Sequence, residues 1–393
     1  MRRHSNNDVA HHKTSVLLLV LTMVLLGVFP LDVILPSFPA MATHFATPSS
    51  NIALSISIFA VGFSISQFFL GPLSDRLGRK RLLIVGMLIS IVGAVGCAGS
   101  EQFKFFILFR SIQAIGCGCF VLSNALVQDI FGSEERDRVR ILMTTASGFF
   151  ISTSPLIGTL LEIPFGWTGS FYLFALIAAL VFIHATWALP TSCSKPSNVR
   201  FRDACGTIIS HHRFMGFSVI AAIAFTCHFS FIAISPVIFL DQFGLTQLEF
   251  SWVLLVYGAA YVLGGIVAGR LQKLISHRQQ LNAGLALIGS AGVVLTVLYL
   301  ATDRSALTIL LPMMICTTGT TIVRPAATSR AMEFFPHHAG AAASMLNTTV
   351  FVTGGMISAV ASVTVANFEC MLAAGFIGFS GIGGMIVRRI YRP

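Results

Sequence analysis

Twelve apolar stretches recur along this 393-residue chain, at approximately 14–36, 51–73, 82–100, 103–128, 140–161, 168–189, 215–240, 250–270, 281–300, 306–330, 339–360 and 368–388. Each is close to the roughly 20 residues that an α-helix needs to cross the hydrocarbon core of a bilayer. Inside lipid every backbone N–H and C=O needs an internal partner, and a helix supplies one for each. A membrane barrel would instead show strict apolar/polar alternation, which this sequence lacks. Charged residues make up 10% of the chain and hydrophobic residues 55%, against about 25% charged in soluble domains. The expected fold class is an all-α integral membrane protein with most of its mass in lipid.

The basic residues predict how the spans are threaded. A net charge of +10 could serve nucleic acid, but its placement argues against that. With the N-terminus in the cytoplasm, the segments on that side hold Arg2, Arg3, Lys13, Arg76, Arg79, Lys80, Arg81, Arg136, Arg138, Arg140, Lys195, Arg200, Arg202, Arg213, Arg270, Lys273, Arg278, Arg324, Arg330, Arg388, Arg389 and Arg392, which is 22 of the 25 Lys and Arg. The opposite loops hold Lys104 and Arg304, and Arg110 lies within a span. This is the positive-inside pattern, so both termini are expected in the cytoplasm, and no nucleic acid is expected as a partner. The start of the chain imitates a secretory signal, but Asp32 and two prolines interrupt the usual layout. It is read as a retained first helix. The eight cysteines are scattered without zinc-ligand spacing. Those at 97, 117, 119, 227 and 316 fall in apolar runs, where cysteine packs as a small hydrophobe.

The longest polar interruption, 190–213, is rich in Ser, Pro, Asn, Lys and Arg and reads as a cytoplasmic linker. It predicts a six-helix bundle at 1–189 and a second at 214–393. The two parts show faint self-similarity. Gly71-Pro-Leu-Ser-Asp75-Arg76-Leu77 follows the second span, and Gly265-Ile-Val-Ala-Gly269-Arg270-Leu271 follows the eighth. Pro36 at the end of the first span has a counterpart in Pro236 of the seventh. A repeat of this kind suits two pseudo-symmetric halves rocking about a central site.

Between spans two and three runs Gly71-Pro-Leu-Ser-Asp75-Arg76-Leu77-Gly78-Arg79-Lys80-Arg81. Its glycines permit a tight turn and close helix approach. An acid among basic residues at a membrane surface can form a charge network in one state and break it in another. This stretch resembles the loop 2–3 signature of the major facilitator superfamily. The resemblance implies a conformational latch of Gly71, Asp75, Arg76, Gly78, Arg79, Lys80 and Asp129. In it Asp75 meets the start of the eleventh helix, near 339–343, where the helix dipole favours an anion. Arg79 pairs with Asp129 at the inner end of helix four.

Arg110, in Phe109-Arg110-Ser-Ile-Gln113-Ala-Ile-Gly116, is read as the only basic residue well inside a span. An intramembrane charge costs about 2.5–3.5 kcal/mol on insertion scales and is by default functional. Its segment resembles the helix-four signature of proton-coupled members, which implies a role in proton coupling. Asp32 is the matching acid, and no other acid is read as lying comparably within a span. Leu31-Asp32-Val-Ile-Leu-Pro36-Ser-Phe-Pro39 resembles the first-helix pattern of the Bcr/CflA branch, the twelve-helix drug:proton antiporters. The fifth span of that branch carries a Gly-Pro signature. Here Gly148, Pro155 and Gly158 remain, while Ser154 replaces the glycine before the proline, and a kinked helix is expected. Arg330-Ala-Met-Glu333-Phe-Phe-Pro336-His-His-Ala-Gly340 is similar to the branch's loop 10–11. Gln113, Asn124 and His228 are the further polar residues expected to reach the cavity.

The resemblance implies a secondary active transporter of the bacterial inner membrane, coupled to protons and exporting small amphipathic compounds. The alternative on the same fold is a dedicated metabolite or siderophore exporter, or an importer. A membrane enzyme or sensor is disfavoured, because no nucleotide loop, metal cluster or Ser/His/Asp arrangement is visible. No cofactor is implied. The expected partners are a small-molecule substrate, protons and lipid, with the chain a monomer.

Overall fold

A computed structural model describes residues 2–189, 201–335, 339–364 and 367–392. In chain order the helices are α1 (Arg2–Asp32), α2 (Phe38–His44), α3 (Ser49–Leu77), α4 (Arg79–Ala98), α5 (Phe103–Cys117), α6 (Leu122–Ile130), α7 (Ser133–Phe165), α8 (Gly169–Ala188), α9 (Phe201–Ser210), α10 (His212–Pro236), α11 (Gln247–Leu274), α12 (His277–Ala301), α13 (Ala306–Met332), α14 (Ala339–Val363) and α15 (Phe368–Ile390). Among the described residues, 12 helical stretches are long and apolar enough to cross a membrane, as the hydropathy pattern predicts.

Local sequence explains where several helices begin. Thr246 and Glu249 form a capping box at the start of α11, the carboxylate accepting from the Thr246 N–H at 2.8 Å. Ser276 and Gln279 do the same for α12, at 2.9 Å. Each box satisfies backbone donors that a first helical turn leaves orphaned. Gly78 alone separates α3 from α4, and its φ of +91° lies where a side chain would be strained. The 71–81 motif is thus nearly all helix, folded back at one glycine.

Three spans are interrupted. The first runs Lys13–His44, past the expected end at 36. It breaks after Asp32, passes through a 3-10 turn at Leu35–Ser37 and resumes as α2. Pro30, Pro36 and Pro39 account for this, since each removes a backbone donor. The fourth span passes through a 3-10 segment at Gly118–Val121, between α5 and α6. The seventh turns π-helical over Val237–Gln242, directly after Pro236. Pro36 and Pro236, paired in the sequence repeat, both sit where the α-helical ladder gives way. Within the 190–213 stretch read as a linker, Phe201–Ser210 is a helix.

The chain divides into two compact units, 1–34 with 62–199 and 35–61 with 200–393. One boundary falls within the 190–213 stretch. The other two fall at the break of the first span and inside α3. In the first unit, Phe106 packs edge-on against Phe171 at 5.9 Å and Trp167 at 6.3 Å. In the second unit, the early turns of α3 pack on α14, where the hydroxyls of Ser57 and Ser358 bond at 2.7 Å.

Candidate functional site

In the first unit, buried polar groups from two helices meet at the break in the first span. Arg110 on α5 is fully buried. One guanidinium nitrogen donates to Gln113 Oε1 at 2.7 Å, and another donates to the Pro30 carbonyl. The guanidinium also lies 5.6 Å from the centre of the Phe171 ring, within cation–π range. The Pro30 partner follows from helix physics. The last carbonyls of a helix lack intrahelical donors, and the end carries partial negative charge. Because α1 stops at Asp32, Pro30 belongs to that orphaned turn, and Arg110 supplies both the missing donor and the favourable charge.

Asp32 is the final residue of α1 and is 8% exposed. No ion pair joins it to Arg110 among the described residues. The two are linked instead through the main chain, since Arg110 grips the turn that ends in Asp32. Gln113 is buried, and its Nε2 has no hydrogen-bond partner. A buried, unpaired amide donor is costly, so a ligand accepting from it would gain. Gly158 on α7 meets the same break, where a Cβ would overlap the Val33 carbonyl oxygen. Glycine is therefore required there. Gly148, about two helix turns before Pro155, has open space at its Cβ. Pro155 lies inside an unbroken α7. Beside it, buried Ser154 donates to the Phe150 carbonyl at 2.6 Å, a back-bond that bends helices.

The 71–81 motif builds a second cluster in this unit. Arg79 pairs with Asp129 at 2.9 Å. Lys80 donates to the carbonyls of Thr186 and Leu189 at 2.7 and 2.6 Å, and so caps the end of α8. The side chains of Asp75 and Arg76 lie outside the described residues, as do those of 339–340. At the start of α7, Lys13 pairs with Glu135 at 2.7 Å.

The second unit holds a polar cluster that the sequence reading only half found. His228 on α10 is buried, and its Nδ1 bonds the Tyr257 hydroxyl of α11 at 2.5 Å. Thr317 on α13 donates to the same hydroxyl. The rings of His228 and Tyr257 stack 5.5 Å apart at 7°, and Tyr261 tilts against His228 at 5.6 Å. A signal was available: the chain has only 5 tyrosines, and two stand at i and i+4 in one apolar span, on one helix face. Asn124, expected beside the cavity, is exposed on α6.

Two readings need correction. Glu369, in the first turn of α15, is 4% exposed, so Asp32 is not the only acid buried in a span. Arg324 was assigned to a cytoplasmic segment, but it lies inside α13, 4.9 Å from the centre of the Phe225 ring.

The sequence profile described as Major Facilitator Superfamily matches residues 17–359. A chloramphenicol resistance protein of Pseudomonas aeruginosa is 26% identical, over 85% of this chain and 79% of that one. A bicyclomycin resistance protein homolog of Haemophilus influenzae is 22% identical, over 92% and 93%. The crystal structure of a D-xylose-proton symporter superposes with a TM-score of 0.76 at 16% identity, covering 97% of this chain and 98% of that one. These matches agree with the 12 spans and the loop between spans two and three. The chain belongs to the major facilitator superfamily of multi-pass membrane transporters, and it resembles the Bcr/CflA-type drug:proton antiporters within it.

Proposed function

We propose that the chain is a proton-coupled exporter of small amphipathic drugs in the bacterial inner membrane, with both termini in the cytoplasm. The observation that carries this reading is the assembly at the break of the first span. A buried arginine holds the helix end that presents a buried carboxylate. An intramembrane acid at the end of a broken helix, with an intramembrane base on a neighbouring helix holding that end, is the kind of arrangement that ion-coupled transporters use. Proton binding at Asp32 weakens its hold on cargo and favours the inward-facing state. Arg110 keeps the helix end in register while Asp32 changes occupants, and the free amide hydrogens of Gln113 receive an acceptor on the cargo. The resistance names of the relatives at 26% and 22% identity support a drug as that cargo. With Arg324 set inside α13, the asymmetry of the remaining 21 of 25 basic residues supports the orientation.

The test is transport in proteoliposomes with imposed pH gradients, using a panel of dyes, antibiotics and metallophores. Uphill transport is expected with the wild-type chain and is expected to fall to the passive leak in Asp32→Asn. Transport indifferent to the gradient, or unchanged in Asp32→Asn, would remove the coupling scheme.

The 71–81 motif serves as the switch in this reading. Arg79 and Asp129 are partly exposed, at 13% and 28% for their side chains, so their pair is worth about 1 kcal/mol or less. A bias of that size suits a contact that must open in every cycle. Arg79→Asp and Asp129→Arg are each expected to slow transport about five- to tenfold by turning attraction into repulsion. Combining them should restore much of the rate. An additive loss in the double variant would show that the pair is not the switch.

A further inference from the structure

A second buried carboxylate stands in the second unit, at the end where α12 finishes and α13 and α15 begin. Glu369 lies in the first turn of α15, where the helix dipole favours an anion. Both of its oxygens are buried and neither accepts a hydrogen bond. Its counter-charge is Arg304, whose Nε lies 3.0 Å from Oε1 while the side chain remains 51% exposed. Arg304 comes from the non-helical segment between α12 and α13. Its guanidinium sits 5.3 Å from the centre of the Tyr299 ring and donates weakly to the Tyr299 hydroxyl at 3.4 Å. Around these groups Leu295, Leu298, Thr308 and Ile309 line a small cleft.

This arrangement is poor as a structural ion pair. Buried carboxylates are held by hydrogen bonds as well as by charge, and a guanidinium can deliver two parallel ones. Arg304 delivers none to Glu369, and half of it stays in solvent. A buried carboxylate beside an aromatic face, in a pocket with apolar walls, is instead the chemistry that recognises an organic cation. We propose that Glu369, Tyr299 and this pocket form a binding site for a guanidinium or primary ammonium group, which Arg304 fills in this conformation as a tethered stand-in. The site is separate from Asp32 and Arg110 and uses none of their residues. In the proposed orientation it faces outward, where free amines and the ammonium headgroups of lipids both occur.

Arg304 competes as an intramolecular ligand at an effective concentration in the millimolar range, so wild-type affinity for a free cation is low and rises when the tether goes. The test uses the full-length protein in detergent, with methylguanidine as the probe and thermal unfolding as the readout, against sodium chloride at equal ionic strength. Methylguanidine at tens of millimolar should raise the wild-type midpoint above the salt control, and Glu369→Gln should abolish that difference. Arg304→Ala should bind methylguanidine about tenfold more tightly, and the double variant with Glu369→Gln should not bind it. If Arg304→Ala does not fold, Arg304→Gln replaces it, and the comparison of wild type with Glu369→Gln stands on its own. Nanodiscs with and without phosphatidylethanolamine separate the sources. A headgroup ligand stabilises Arg304→Ala before any probe is added, and a soluble one only afterwards. Equal midpoints in methylguanidine and sodium chloride, or a methylguanidine shift that survives Glu369→Gln, would overturn the proposal.

Discussion

Replacing Arg110 by alanine is expected to reduce transport about a hundredfold while the protein still inserts. The side chain is fully buried and satisfies the Gln113 amide oxygen and the Pro30 carbonyl together. Hydrogen bonds to a charged group are worth about 1.5–3 kcal/mol each, and losing one partner strands the other. A penalty of about 3 kcal/mol at the end of α1 corresponds to about two decades in any equilibrium that end controls. Arg110→Lys separates charge from shape. Lysine keeps the positive charge but is a point donor on a flexible stem, so it cannot bridge Gln113 and Pro30 while covering the Phe171 ring. An intermediate loss of about tenfold is expected for it. Full activity in Arg110→Lys would mean that charge alone matters and that the grip on the broken helix does not. Initial rates in proteoliposomes, normalised to reconstituted protein, decide between these outcomes.

The second large effect concerns two glycines on one helix that behave oppositely. A methyl group at Gly158 would overlap the Val33 carbonyl oxygen, and neither backbone can swing aside as a side chain would. Overpacking of this kind costs about 1–3 kcal/mol, and relief comes from pushing α7 off the break next to Asp32. Gly158→Ala should therefore lower the thermal midpoint and cut transport about tenfold or more. At Gly148, where a Cβ meets nothing within 4 Å, alanine should be tolerated and can add up to about 1 kcal/mol of helix stability. Equal effects of the two substitutions would remove the close approach from the mechanism and leave only a generic flexible helix.

These residues also show what was legible in the sequence. The spans could be counted because a bilayer imposes one length and one polarity on each, and the 12 apolar helices match that count. Arg110 and Asp32 could be picked out because charge inside a span is rare. Their relation could not, since it runs through the carbonyl of Pro30, and every residue offers a carbonyl. The same is true of Lys80, whose partners are main-chain oxygens at 186 and 189. Glu369 escaped because a hydropathy pattern does not distinguish a span's solvated edge from a pocket at that edge. Tyr257 and Thr317 escaped because they acquire meaning only when α10, α11 and α13 bring them to His228.

The break in the first span has a consequence for how such a transporter can evolve. Arg110 grips it at the Pro30 carbonyl, and Gly158 rests on the Val33 carbonyl. Both holds fall chiefly on main-chain carbonyls, which every residue offers, and only the Val33 Cγ2 adds a looser contact near Gly158. Substitutions at Val33 and Ile34 can alter the shape and polarity beside Asp32 while the holds persist. In the proposed mechanism, selection for a new compound can act on those two positions without first rebuilding the apparatus that couples movement to the proton.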